Sequence, residues 1–305
     1  RLLFCKRACC QSNCAHLEYR MAKIISIILS CLLVCNTELL QADTSNEGNW
    51  PAFRGNGNST TSLAELPLNW SDTEGIAWKV NLTGYGQSSP VIWGETVYVT
   101  STGGDGKEKL FIEAYDLASG GKQWVKEFEA SRKPKEVNDY ISRGAPTPVV
   151  DEAGVYAFFE SGDLVALDSS GGVRWQRSLT EEYGDFLGNH GVGSSLINTP
   201  DSIVLLVDHD GPSYLINIDK ASGKNRWKIK RKARVSWSTP LYLTHNGLEQ
   251  IVVSSNGEAA AFKLEDGEKL WWVEGIEKNT VNAPTTNGDI VIIGSSEPTQ
   301  TMAIS

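Results

Sequence analysis

The chain has 305 residues, 40% hydrophobic and 21% charged, with a formal net charge of -9. This composition excludes a disordered chain, and the acidic balance excludes nucleic acid as the partner, because phosphate binding draws on a surplus of Lys and Arg. All six cysteines (Cys5, Cys9, Cys10, Cys14, Cys31 and Cys35) lie in the first 35 residues, so the body beyond them holds neither a disulfide framework nor a thiolate site.

Residues 1–20 begin without Met and precede a start at Met21, so they read as upstream translation. The spacing of their four cysteines fits no zinc ligand pattern. Met21-Ala22-Lys23 and the apolar run 24–35 then read as a secretory signal, with cleavage after Ala42 and a signal peptide over 21–42. The run is too short to span a bilayer comfortably; acylation of Cys31 is the lipoprotein alternative. Without residues 1–42 the body carries 23 basic and 35 acidic residues, a net charge of -12 and no membrane-binding patch. Residues 43–74 form an N-terminal extension or closing strand, and 75–305 a repeat region.

The repeat carries most of the information. AYDLASGGKQW (114–124), VALDSSGGVRW (165–175), LINIDKASGKNRW (215–227) and AAFKLEDGEKLW (260–271) align, and a weaker copy ends at Trp78. Trp78, Trp124, Trp175, Trp227 and Trp271 are 46, 51, 52 and 44 residues apart, periods that mean a propeller or a solenoid. Each copy reads as an apolar strand, a Gly-containing tight turn, and a short strand bearing the Trp. A large ring at one fixed place per unit predicts a wedge between neighbouring sheets, burying about 150–250 Å². The other half of each unit starts with a short strand: 88–93, 146–150, 194–198, 238–243 and 283–287. Four of these carry Pro near the start, where no ladder donor is lost. A second apolar run follows each, giving four strands per unit, the content of one propeller blade. No sustained 3.6-residue periodicity supports a helical solenoid. The expected fold is therefore an all-β propeller of four-stranded blades. About five blade equivalents are present, and the chain stops inside a repeat, which predicts a missing C-terminal part.

These segments resemble the pyrroloquinoline-quinone-like (PQQ-like) propeller repeat, in which a strand ending Ala-x-Asp leads into a Thr/Ser-Gly-Lys turn and then Trp. Ala114-Tyr115-Asp116…Ser119-Gly120…Trp124 and Asp219…Ser222-Gly223-Lys224…Trp227 carry the likeness. The stretches Trp50 to Gly57, Leu66-Pro67-Leu68-Asn69-Trp70 and Ile76 to Val80 also look like those of secreted PQQ-like propellers of planctomycete bacteria. The resemblance implies seven or eight blades in a complete protein. It also implies a repeat shared with the outer-membrane β-barrel assembly lipoprotein, a scaffold, and with alcohol dehydrogenases that bind PQQ and calcium beside a pair of adjacent cysteines. The body here has no such pair, and no calcium ligand motif is legible.

Gln87, Arg143, His190, Trp237 and Asn282 occupy comparable positions before the first strand of each unit, where a propeller places its channel mouth. They are weak candidates for holding a small polar ligand. His190 and His209, in Asp208-His209-Asp210-Gly211, are a conceivable metal or acid/base pair; the simpler reading, adopted for each, is a turn histidine with its bonds satisfied. The basic run Lys228, Lys230, Arg231, Lys232 and Arg234 reads as a solvated loop, or alternatively as a face for an acidic partner. No nucleophile motif is present. The expected function is a non-catalytic binding or scaffold propeller, exported to the periplasm or beyond and monomeric when complete, with no cofactor and a protein or extracellular polymer as partner. The alternatives are a quinoprotein dehydrogenase using PQQ with calcium, and a propeller that binds a small ligand such as a sugar or peptide.

Overall fold

The apolar runs form strands because Val, Ile, Leu and Tyr alternate with turn residues at intervals too short for helices. The structure, a computed structural model, describes residues 48–55, 57, 59–61, 66–132, 143–188, 191–294 and 301–305. Residues 1–20, the signal segment 21–42 and His190 lie outside the described residues.

Among the described residues nineteen strands make five antiparallel sheets, each wound in chain order. The first contains β1 (Val91–Trp93), β2 (Thr96–Gly103), β3 (Lys109–Asp116) and β4 (Lys122–Glu129). The second contains β5 (Val149–Asp151), β6 (Gly154–Phe158), β7 (Asp163–Leu167) and β8 (Val173–Ser178). The third runs through β9 (Ile197–Asn198), β10 (Ser202–Val207), β11 (Tyr214–Asp219) and β12 (Asn225–Lys230). The fourth runs through β13 (Leu241–His245), β14 (Leu248–Ser255), β15 (Glu258–Lys263) and β16 (Lys269–Glu274). The fifth has three strands, β17 (Thr285–Thr286), β18 (Val291–Gly294) and β19 (Thr301–Ile304). A short helix, α1 (Leu179–Tyr183), follows β8; Ser178 caps it by accepting from the Glu181 amide.

The hydrophobic core lies between sheets. Along β10, Ile203, Leu205 and Val207 pack toward the second sheet, while Val204 and Leu206 pack toward the fourth. Along β6, Tyr156 and Phe158 face the third sheet, and Val155 and Ala157 the first. Central strands are thus buried on both faces, which is why they read as continuous apolar runs. The outer strands β4, β8, β12 and β16 alternate instead, and their Lys, Arg and Glu side chains guard a free edge.

The recurring tryptophan is a peripheral fastening. The Trp78, Trp124, Trp175 and Trp227 indole N–H groups donate to the carbonyls of Leu117, Ser169, Lys220 and Leu264, at 2.8, 3.0, 2.8 and 2.8 Å. Each acceptor lies in or beside the tight turn of the next unit. The rings are half-buried, less than a full wedge would be. Trp271 packs against the buried cluster of Leu241, Val252 and Ala261. Within its own sheet each ring faces a small or short residue: Ala114 opposite Trp124, Ala166 opposite Trp175, Asn217 opposite Trp227 and Ala261 opposite Trp271. A bulge follows at the same place in all four ladders, which explains the Ala of the repeat signature.

The turn is held by its aspartate. Asp219 Oδ1 accepts from the Ser222 hydroxyl at 2.7 Å and the Ser222 amide at 2.9 Å, while Oδ2 accepts from Arg226 at 3.0 Å. These bonds, the hydroxyl first, hold the Asp219 carboxyl down at about 2. Asp116 and Asp168 are lowered by the matching Ser119 and Ser170 contacts, and Asp266 by the Glu268 amide. A depressed carboxyl stabilises the fold fully above its unfolded value and loses that contribution as pH falls through the folded one. Asp219→Asn is therefore expected to cost about 2 kcal/mol at pH 6. The difference from the parent should shrink between pH 4 and pH 2 in urea titrations, and a constant difference across that range would refute the assignment.

A second fastening sits at the hub, where the first strands of successive sheets are neighbours. The Ser89 amide donates to Thr147 Oγ1 at 3.1 Å, the Thr147 amide to Ser195 Oγ at 3.0 Å, and the Ser195 amide to Thr239 Oγ1 at 3.0 Å. The series goes on with Ser238 Oγ donating to the Asn282 carbonyl at 3.0 Å. The N-terminal segment crosses these first strands: Trp50 and Ile92 exchange backbone bonds at 2.9 Å, and the Val150 amide donates to the Pro51 carbonyl at 2.9 Å. Farther along, Arg54 reaches Thr285 Oγ1 at 3.4 Å.

Candidate functional site

Antiparallel winding puts two kinds of connection at opposite ends of the strands. The tryptophan-docking turns and the short turns between first and second strands share one end. The other end, where first strands begin, carries the second-to-third-strand turns and the points where the connections between units leave β4, β8 and β12, at Glu129, Ser178 and Lys230. Gln87, Arg143, Trp237 and Asn282 all lie in this strand-start region.

The structure links three of them indirectly. Arg143 is 6% exposed and contacts Glu160 Oε2 at 3.3 Å, while its carbonyl accepts from the Glu160 amide at 3.0 Å. Glu160 packs beside Gly191, whose carbonyl accepts the Trp237 indole N–H at 3.0 Å. The Trp237 amide donates to the Thr280 carbonyl at 2.8 Å, two residues before Asn282. Gln87 is apart and exposed, bonded to the Tyr85 hydroxyl at 3.0 Å. Burial pushes the Glu160 carboxyl up and Arg143 down, each against its partner's opposing charge.

His209 is buried beside Phe186, with ring centroids 5.4 Å apart. Its Nδ1 accepts amide bonds from Leu187 at 2.9 Å and Gly211 at 3.0 Å. Burial lowers its pKa, and an Nδ1 that accepts twice places the proton on Nε2. The ring organises its turn and has no lone pair free for a metal on that side.

The basic run that starts within β12 is a solvated loop only in part: Lys230 and Lys232 are exposed, but Lys228, Arg231 and Arg234 are not. Arg231 is buried with Asp208, its Nε 2.9 Å from Oδ1, and Ser255 donates its hydroxyl to Asp208 Oδ2. Arg234 lies 3.6 Å from Glu258 Oε1. Lys228 lies over the rings of Tyr183 and Tyr214, 4.1 and 4.6 Å from their centroids. Sequence alone ranked Arg231 with exposed lysines, although Asp208, at the end of an otherwise apolar strand, was a legible hint of a buried partner. Glu113 was missed likewise. It is fully buried on β3 and accepts from the Thr83 amide and hydroxyl, Ser101, Tyr115 and Lys122 at 2.7–3.0 Å.

A PQQ–calcium site requires oxygen ligands free to bind a cation. Among the described residues Glu160 and Asp208, buried at this end, each face a guanidinium, Asp163 is held by Ser161 and Ser131, and no group of three or more His, Cys, Asp or Glu is poised for a metal. The described donor set does not fit that group, and no step is derived through it.

Sheets joined through a hub of hydroxyl–amide bonds and a rim of docked tryptophans define a β-propeller of PQQ-like repeats. The chain belongs to the family described as outer membrane protein assembly factor BamB, whose pattern matches residues 65–188 and 187–303. No curated protein matches the chain by sequence. Among solved structures it is similar to BamB from Moraxella catarrhalis, with a TM-score of 0.51 and 20% identity over 75% of this chain and 66% of that one. It is also similar to the quinohemoprotein alcohol dehydrogenase from Comamonas testosteroni, with a TM-score of 0.55 and 13% identity over 84% of this chain and 47% of that one. A europium-containing methanol dehydrogenase gives a TM-score of 0.54 and 13% identity, covering 88% and 55%. The chain thus spans about two thirds of the BamB structure and about half of the dehydrogenases, and likenesses at these identities establish the fold alone. No helix among the described residues is long and apolar enough to cross a membrane.

Proposed function

We propose that the protein is an exported, non-catalytic propeller scaffold that holds a protein or polymer partner at its strand-start end. The observation that carries this reading is how that end uses its chemistry. Arg143, Glu160, Asp208, His209 and Arg231 are all committed to one another or to backbone amides, so these five fix the chain where units join and do not stand poised for proton or acyl transfer. Long crossovers held on a rigid sheet scaffold are what a recognition surface needs. The family match to an assembly factor supports the same reading.

The test is affinity capture with the full chain from an extract of the source organism's envelope, beside a titration with PQQ and calcium followed by absorbance and melting temperature. We expect a stoichiometric partner and no saturable response to high-micromolar PQQ. Saturable PQQ binding that raises the melting temperature by several degrees would replace the scaffold with a quinoprotein reading. Failure to capture any partner would remove the support for a scaffold.

A further inference from the structure

The chain carries Asn-Gly pairs at 56–57, 246–247, 256–257 and 287–288, and the last three fall wholly within the described residues. In such a pair the side-chain carbonyl carbon is within reach of the next backbone nitrogen, and glycine has no Cβ to shield that nitrogen. Whether the two react depends on what else holds them. At Asn256–Gly257, between β14 and β15, the Gly257 amide donates to the Ile276 carbonyl at 2.5 Å. At Asn287–Gly288, after β17, the Gly288 amide donates to Thr286 Oγ1 at 2.9 Å. Asn287 Oδ1 there also accepts from the Asp289 and Ile290 amides at 3.1 and 3.0 Å. Both glycine nitrogens are committed, and the Asn287 side chain is pinned as well.

Asn246–Gly247 differs. The pair is the two-residue loop between β13 and β14, closed by the register pair His245 and Leu248. Both residues have positive φ, 50° and 76°, the arrangement of a type I′ turn. Both are exposed, and a Cβ on Gly247 would meet nothing within 4 Å. Among the described residues neither the Gly247 amide nor the Asn246 side chain has a hydrogen-bond partner.

We propose that Asn246 is a self-modification site, at which the fold leaves asparagine free to convert to aspartate and isoaspartate. The Gly247 nitrogen loses its proton to a solvent base and bonds to Asn246 Cγ. The Cγ–Nδ2 bond breaks, and the departing nitrogen takes up a proton and leaves as ammonia. Water then adds to either carbonyl of the cyclic imide, breaking its bond to the Gly247 nitrogen, which is reprotonated. The sum is asparagine plus water giving aspartate or isoaspartate plus ammonia, with no oxidation or reduction. Opening at the Asn246 backbone carbonyl gives isoaspartate and puts an extra methylene into the main chain of the turn; both products add a negative charge. The proposal is independent of the scaffold reading, since this turn lies at the end of the strands opposite the strand-start end.

The test incubates the full chain, folded, at mildly alkaline pH and scores its peptides over time by the mass change for exchange of –NH2 for –OH. Isoaspartate is read by methyl transfer from a protein isoaspartate methyltransferase, and cleavage after Glu249 separates Asn246 from Asn256. Asn246 should be modified about tenfold faster than Asn256 or Asn287, whose glycine amides must first give up a hydrogen bond. In urea that unfolds the chain this lead should vanish, because those hydrogen bonds are gone. Asn246→Gln should remove the signal at this turn and leave the other two positions unchanged. An Asn246 that stays unmodified in the folded chain would overturn the proposal, as would Asn256 or Asn287 keeping pace with it. A lead undiminished in urea would overturn it too, by tracing the reactivity to neighbouring sequence and not to the fold.

Discussion

Asp208→Ala is expected to destabilise the protein by about 3–5 kcal/mol, because it leaves the buried Arg231 guanidinium with only the more distant Glu258, 4.0 Å away, as counter-charge. The side chains of Asp208 and Arg231 are 0% and 3% exposed, so water cannot take over the role of the carboxylate. Ser255, whose hydroxyl donates to Asp208 Oδ2, loses its acceptor as well. A second variant separates an unpaired charge from lost packing. Replacing both partners with apolar residues of similar size, as in Asp208→Leu with Arg231→Met, should recover most of the loss, since neither desolvated charge then remains. Urea unfolding of the three proteins decides the matter. A double variant no more stable than Asp208→Ala would show that the pair supports the crossover in some way other than charge neutralisation.

Gly223→Ala is expected to cost about 2–4 kcal/mol, combining backbone strain with a displaced ring. Gly223 sits at φ +70°, and a Cβ there would lie 2.7 Å from the Trp175 ring. Gly247 is the internal comparison: it has φ +76°, yet a Cβ would meet nothing within 4 Å. Gly247→Ala therefore isolates the strain, about 1–2 kcal/mol. The Gly223 variant should also shift tryptophan emission to the red as Trp175 gains water, and the Gly247 variant should not. Equal losses in the two variants, with unchanged emission, would mean that the ring docks with less commitment than its bond to the Lys220 carbonyl implies.

The propeller was legible because its signal recurs. The Ala-x-Asp strand, the Gly turn and the Trp return in phase, and each copy checks the others. The structure adds why Ala precedes the turn: it lies opposite the ring across the ladder. The hub was also written in the chain, as Ser89-Pro90, Thr147-Pro148 and Thr239-Pro240. Pro was read there as a strand-start marker, while the hydroxyl residue before it passed unnoticed. A hydroxyl looks like any turn residue until its acceptor role toward the preceding unit is known.

The strand-start end was less legible for a different reason. Alternation along a strand reports which faces are covered, but it does not say where a crossover folds back. Arg231 therefore looked like its lysine neighbours, and the link from Arg143 through Glu160 to Trp237 joins segments nearly a hundred residues apart.

Both fastenings run in the same direction along the chain. At the rim an indole of one unit plugs into the turn of its successor, and at the hub an amide of one unit plugs into the hydroxyl of its successor. Each unit is thus a cassette with a plug at one boundary and a matching socket at the other. During synthesis, a cassette that has left the ribosome keeps its plug empty until the following one arrives, so consolidation trails elongation by one unit. The same directional fit lets a duplicated cassette join its parent without new interface chemistry, which gives propellers of this construction a simple route to growth by tandem copying.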